Sequence, residues 1–96
     1  MNLVKIVKSK KMNKKYDAIF KKDNGKEKTV SFGQANANDY TITKDKEARS
    51  RYRKRHAKDL KTNDPSRAGY LSYHLLWGDS TNLQTNISEY KKRFKL

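Results

Sequence analysis

Apolar residues alternate along the first third of this chain and recur every three or four positions beyond residue 43. Leu3 to Val7 is rich in β-branched residues and predicts a short strand. Ser9, Lys10, Lys11, Asn13, Lys14 and Lys15 follow as a polar, basic loop. From Tyr16 the alternation is strict. Tyr16, Ala18 and Phe20 share one face, Asp17, Ile19 and Lys21 the other, and Val30 and Phe32 resume the period beyond a turn. That pattern predicts a hairpin with Tyr16, Phe20 and Phe32 on its buried face. Asp23-Asn24-Gly25 supplies the turn, because Asn and Gly tolerate positive φ.

Residues 33 to 41 read as loop, with Asn36, Asn38 and Asp39 favouring turns. Thr43 is the expected cap of a helix running to about Leu60, with Asp45 and Glu47 in the first turn, where the helix dipole favours anions. Thr62, Asn63, Asp64 and Pro65 break the pattern. Ser66 is the expected cap of a second helix through Trp77, which Gly78 ends, and Leu83, Ile87, Tyr90 and Phe94 mark a third. The fold class is therefore α+β: a short N-terminal strand and a β-hairpin followed by three α-helices, as one domain over residues 1–96.

Charge changes the picture next. The 96 residues hold 24 Lys+Arg against 10 Asp+Glu, giving a net charge of +14, and only 33% of them are hydrophobic. A chain this short buries only roughly 60–65% of the surface its unfolded form exposes, so its core is thin and a deep substrate cleft is disfavoured. No cysteine is present, which removes disulfide scaffolds, zinc ribbons and thiol catalysis together. No apolar run approaches the ~18 residues needed to span a bilayer, and Met1 to Val7 is too short for a secretory signal, so a soluble intracellular protein is expected. An excess of positive charge repels itself in the compact state until a polyanion neutralises it. Nucleic acid is the leading partner, ahead of an anionic membrane.

The first predicted helix carries most of the candidate chemistry. Spacing by four sets Ala48, Tyr52, His56 and Leu60 along one stripe facing the core. Arg51, Lys54, Arg55 and Lys58 then share one flank, and Lys46 and Arg53 another. A solvated helix with charges for solubility is the plain alternative. Against it stand four arginines between Arg49 and Arg55 with few acids to pair with them, so they call for an external partner. Arginine suits bidentate phosphate contact and insertion into a narrow minor groove, which implies a preference for A·T-rich duplex. Lys14, Lys15, Lys21, Lys22, Lys26 and Lys28 surround the hairpin. A basic ribbon entering a DNA groove and a charged edge that prevents aggregation are equally good readings of them.

The segment from Ala68 to Trp77 is apolar nearly all round. Leu71, Leu75 and Trp77 are expected in the core, leaving Tyr70, Tyr73 or Leu76 as candidate dimer contacts. Catalysis and metals find little support. His56 lies among cations in sequence, which disfavours its protonation, and His74 reads as a core or interface residue. The two histidines are far apart, and no acidic cluster, Walker loop or nucleophile elbow is present. The expectation is a non-enzyme with no cofactor, no metal and no small-molecule substrate.

The runs KKYDAIFKKDNGKEKTVSFG, DYTITKDKEARSRYRKRH, DPSRAGYLSYHLLWG and ISEYKKRFKL, covering residues 14 to 96, resemble a family of short basic proteins of large nucleocytoplasmic DNA viruses. The marseillevirus group is the suspected source. The resemblance implies a virion-associated protein that binds double-stranded DNA and compacts the viral genome, located in the virion and the viral factory of the host cytoplasm or in the host nucleus. It also implies phosphate contacts from Lys14, Lys15, Lys21 and Lys28 of the hairpin and Arg49, Arg51, Arg53, Arg55 and Lys58 of the helix. Lys22 and Lys54 join these from the charge pattern alone. Thr62 and Asn63 stand where the family often has a tryptophan, and Tyr73-His74 where it often has Arg-Trp. Those departures put a role for the second helix's surface in doubt. Two other classes compete: an RNA-binding module, and an interaction module whose apolar second helix docks a histone-like viral protein or a second copy of the chain.

Overall fold

The computed structural model describes residues 1–96 as an α+β fold. Strands β1 (Asn2–Lys8), β2 (Lys14–Lys21) and β3 (Glu27–Gln34) form one antiparallel sheet in the order β1-β2-β3. Strict alternation makes β2 and β3 a regular hairpin, with Tyr16 opposite Phe32 and Ala18 opposite Val30. Phe20 and Phe32 are wholly buried, and the Tyr16 ring lies 5.8 Å from that of Phe32. At the tip Gly25 takes φ +84°, and the Asn24 side chain accepts a hydrogen bond from the Lys26 backbone N–H. Strand β1 departs from alternation. A bulge between Leu3 and Lys5 shifts the register, so Leu3 meets Phe20 and Ile6 meets Ala18 on the same face. Leu3 is thereby buried and Ile6 packs on the core, while Val4 and Val7 stay exposed.

Four helical elements follow, one more than the sequence predicts. The added one, α1 (Tyr40–Thr43), is a single turn capped by Asp39, and Lys44 then turns the chain through a left-handed conformation. That break excludes Thr43 as the cap of the long helix. Asp45 holds the position instead, its side chain accepting from the Glu47 and Ala48 N–H groups at 3.0 and 3.1 Å. Helix α2 (Lys46–His56) ends earlier than expected and tightens into a 3-10 turn over Ala57–Thr62, closed by a left-handed Asn63.

Helix α3 comprises an α-helical turn, Ala68–Leu71, and a π-helical turn, Ser72–Leu76. Ser66 is not its cap: the Ser66 hydroxyl donates to Asp64 and accepts from Lys28 Nζ, and Arg67 stands at the cap position without a side-chain bond. Gly78 does end the helix. A Cβ there would run into the carbonyl oxygen of His74, so no larger residue fits without backbone movement. Helix α4 (Leu83–Arg93) is capped by Asn82.

Tyr70, Leu71, Leu75 and Leu76 of α3 and Tyr90 of α4 pack with Leu3, Ala18, Phe20 and Phe32 into one core. This corrects the expected division of α3. Tyr70 and Leu76 are buried within the chain and are not surface contacts for a dimer, while Trp77 is only half-buried. Polar groups in this core are satisfied: Tyr70 donates to the Leu60 carbonyl, Tyr90 to that of Pro65, and Asn86 to those of Leu75 and Ser80. No helix is long and apolar enough to cross a membrane.

Candidate nucleic-acid interface

Helix α2 lies on the surface, and none of its residues is fully buried. Its inward stripe works through stacked rings. Tyr52 lies between two of them, 4.1 Å from His56 at 22° and 4.5 Å from Trp77 at 10°. This stack joins α2 to the end of α3 and withdraws the Tyr52 hydroxyl from water, which pushes its pKa up.

The arginines of α2 divide into two sets. Arg49 turns inward, donating to the Gly78 carbonyl at 2.6 Å and to Asp79 at 2.5 Å. Arg53 does the same one turn later, donating to the Trp77 carbonyl at 3.0 Å with its guanidinium 4.4 Å from the Tyr73 ring centre. Both pin the helix to the turn after α3, so the argument that every arginine here lacks a partner does not apply to these two. Arg51, Lys54, Arg55 and Lys58 are exposed on the outer flank, with no carboxylate within ion-pairing distance.

The hairpin lysines divide likewise. Lys15 is committed inside: its Nζ bonds the Ala37 carbonyl and Asp39, each at 2.6 Å, and Asp39 is 1% exposed. Lys28 reaches Ser66 at 2.9 Å. Lys21, Lys22 and Lys26 are exposed around the tip. Lys14 is half-buried at the opposite end, where the hairpin root approaches α2.

A groove of about 490 Å³ runs between them. Lys14, Lys15 and Gln34 line one wall, Tyr52, Arg55 and His56 the other, and Asp59, Gly69, Ser72 and Trp77 the base. The two acids beside it are already paired, Asp39 with Lys15 and Asp59 with His56, whose Nδ1 lies 3.0 Å from the carboxylate. Sequence reasoning set His56 among cations, but the helix leaves Lys54 and Lys58 exposed, commits Arg53 to the turn after α3, and gives the ring an acidic partner. The i,i+3 spacing of His56 and Asp59 was the available signal, as was the i,i+4 spacing of Arg49 and Arg53 beside Tyr52. No three His, Cys, Asp or Glu side chains come together to hold a metal ion.

Elsewhere, the Ser31 and Ser9 hydroxyls donate to Asp17 and hold its carboxyl below the usual range. His74 is wedged among Tyr70, Tyr73, Tyr90 and Phe94. Burial first, then Arg93 and Arg53, bring its pKa down to about 4.

Among known families, the model of a family of unknown function, DUF5754, matches residues 4–56, from β1 to the end of α2. No curated protein and no solved structure matches the chain.

Proposed function

The chain belongs to DUF5754, a family of unknown function, and we propose that it is a non-enzymatic binder of double-stranded DNA that coats and compacts it through phosphate contacts. The observation that carries this reading is the outer flank of α2. Arg51, Lys54, Arg55 and Lys58 recur at helical neighbour spacing there, exposed and without carboxylate partners. Together they span roughly 11 Å along the helix, and duplex DNA offers one phosphate about every 3.4 Å along each strand. Lys21, Lys22 and Lys26 at the hairpin tip add a second exposed cationic patch.

Most of these charges have no internal use. Of the 24 Lys and Arg residues, only Lys15, Arg49, Arg53 and Arg67 pair with a carboxylate. Bound to DNA, the others would release condensed counterions, an entropic gain indifferent to base sequence. Action on a viral genome inside a virion rests on the resemblance of the four sequence runs to viral basic proteins.

Replacing Arg51, Lys54, Arg55 and Lys58 together by glutamine tests the site. Duplex affinity is expected to fall at least 100-fold in fluorescence anisotropy with the circular dichroism spectrum unchanged, since several phosphate contacts are lost. Unchanged affinity in the folded variant would overturn it. Duplex RNA of the same sequence as competitor checks the partner, because its A-form grooves present a different shape, and preference for RNA would contradict the DNA reading.

A further inference from the structure

We propose that the groove between the hairpin root and α2 is a seat for one DNA backbone phosphate, closed by Lys14, Arg55 and the imidazole of His56, and that His56 takes up a proton as DNA binds. The inference rests on the DNA-binding reading and names a ligand position within it.

Charge around the groove is already sorted. Lys15 neutralises Asp39 and His56 engages Asp59, which leaves Lys14 on one wall and Arg55 on the other as cations with no carboxylate partner. Two unpaired cations from separate elements facing one concavity make a site for a small anionic group.

His56 is held for this role. A carboxylate can only accept, so the nitrogen facing Asp59, Nδ1, carries a hydrogen and Nε2 is the nitrogen left free. Tyr52 stacks 4.1 Å from the ring and itself rests on Trp77, which fixes the imidazole plane before any ligand arrives. A neutral ring would present the Nε2 lone pair to a phosphate oxygen, which is repulsive. Only the imidazolium donates from both nitrogens, bridging Asp59 and the phosphate. The groups that bear on this proton are Asp59 from the 3-10 turn, Arg55 and Tyr52 from α2, Lys14 and Lys15 from β2, and Asp39 from the loop before α1. Asp59 and Asp39 favour the proton and Lys14, Lys15 and Arg55 oppose it, and a phosphate seated among them adds a further negative charge on the favourable side.

Isothermal titration calorimetry of the whole protein with a 20-base-pair duplex, in buffers of different ionisation enthalpy, reads the proton directly. Net proton uptake on binding is expected between pH 8 and pH 6.5, with affinity rising as the pH falls over that range. In His56→Gln the uptake and the pH dependence disappear, and affinity at pH 6.5 falls to the level that the wild type shows at pH 8 or below it. If Lys14 and Arg55 hold the same phosphate, Lys14→Gln, Arg55→Gln and the double variant each lower the slope of log affinity against log salt by about one. A double variant that loses two, or none, overturns the shared seat. Inorganic phosphate is the probe for the source of the anion: it should shift the His56 ring signals in NMR, and duplex DNA should displace it. Phosphate that duplex DNA fails to displace overturns the backbone assignment. A wild-type protein that binds duplex with a steep salt slope but takes up no proton refutes this inference alone, whereas one that binds no duplex refutes the reading beneath it.

Discussion

Two lysines adjacent in sequence carry opposite duties. Lys14 lines an open groove, while Lys15 reaches through the fold to Asp39, whose other oxygen accepts from the Thr41 N–H and hydroxyl. Removing one member of a buried, hydrogen-bonded ion pair leaves the other uncompensated. Lys15→Met is therefore expected to destabilise the fold by about 3 kcal/mol in chemical denaturation, whereas Lys14→Met should change stability by under about 0.5 kcal/mol. Equal effects would contradict the assignment. Alternation in the sequence sets Lys15 on the face away from Lys14, but nothing in it reveals that Asp39 waits at the end of its reach. That distinction needed the loop after β3, where the left-handed Asn36 turns the chain and the Ala35 N–H bonds the Asn13 carbonyl, bringing residue 39 back to the hairpin root.

His74 makes a pH prediction at the same scale. Its pKa is lowered in the fold, from 6.5 to about 4, so the unfolded chain binds the proton more readily. Stability from this group is complete above about pH 6.5 and is lost as the pH falls from there toward 4. For a ring in partial contact with solvent the loss is about 2 kcal/mol. Urea midpoints of the wild type should drop between pH 7.5 and pH 5, a range in which carboxylates stay ionised, and His74→Phe should flatten that drop. A variant with the same decline would place its source elsewhere.

Among the elements, the strands were the most legible. Alternation around Asp23-Asn24-Gly25 leaves one register that buries both Phe20 and Phe32, and the structure adopts it. The bulge in β1 was not legible, because Leu3 and Ile6 sit three apart and only pairing with β2 decides which residue is skipped. Helix ends were read less well than helix positions. Thr43 and Asp45 are both good caps in isolation. The left-handed Lys44 between them settles the choice, leaving Thr43 as the last residue of α1, where its hydroxyl accepts from the Asp45 N–H. Asp45→Ala should accordingly cost about 1 kcal/mol of stability, and Thr43→Ala clearly less. The reverse order in thermal denaturation would restore Thr43 as the cap. Beyond His56 the chain tightens because Leu60 must meet the Tyr70 hydroxyl through its carbonyl, a tertiary demand that periodicity does not carry.

For the whole molecule, the net charge of +14 was plain from composition, and so was the need for an anionic partner. What composition hid was the partition of that charge. Arg49 and Arg53 look like the rest of the α2 arginines in sequence, yet they fasten the helix to residues 77–79, and only the folded turn distinguishes them. The cations that remain form two patches, the α2 flank and the hairpin tip, with the Lys14–Arg55 groove between the hairpin root and the helix. Such a molecule should gain affinity chiefly by displacing salt from DNA. The most direct test is the affinity of the wild-type protein for a short duplex across 50 to 200 mM salt. With about six to ten phosphates neutralised, affinity is predicted to fall roughly 10³- to 10⁵-fold over that range, with little dependence on base sequence. Affinity that stays level across the same series would contradict the account.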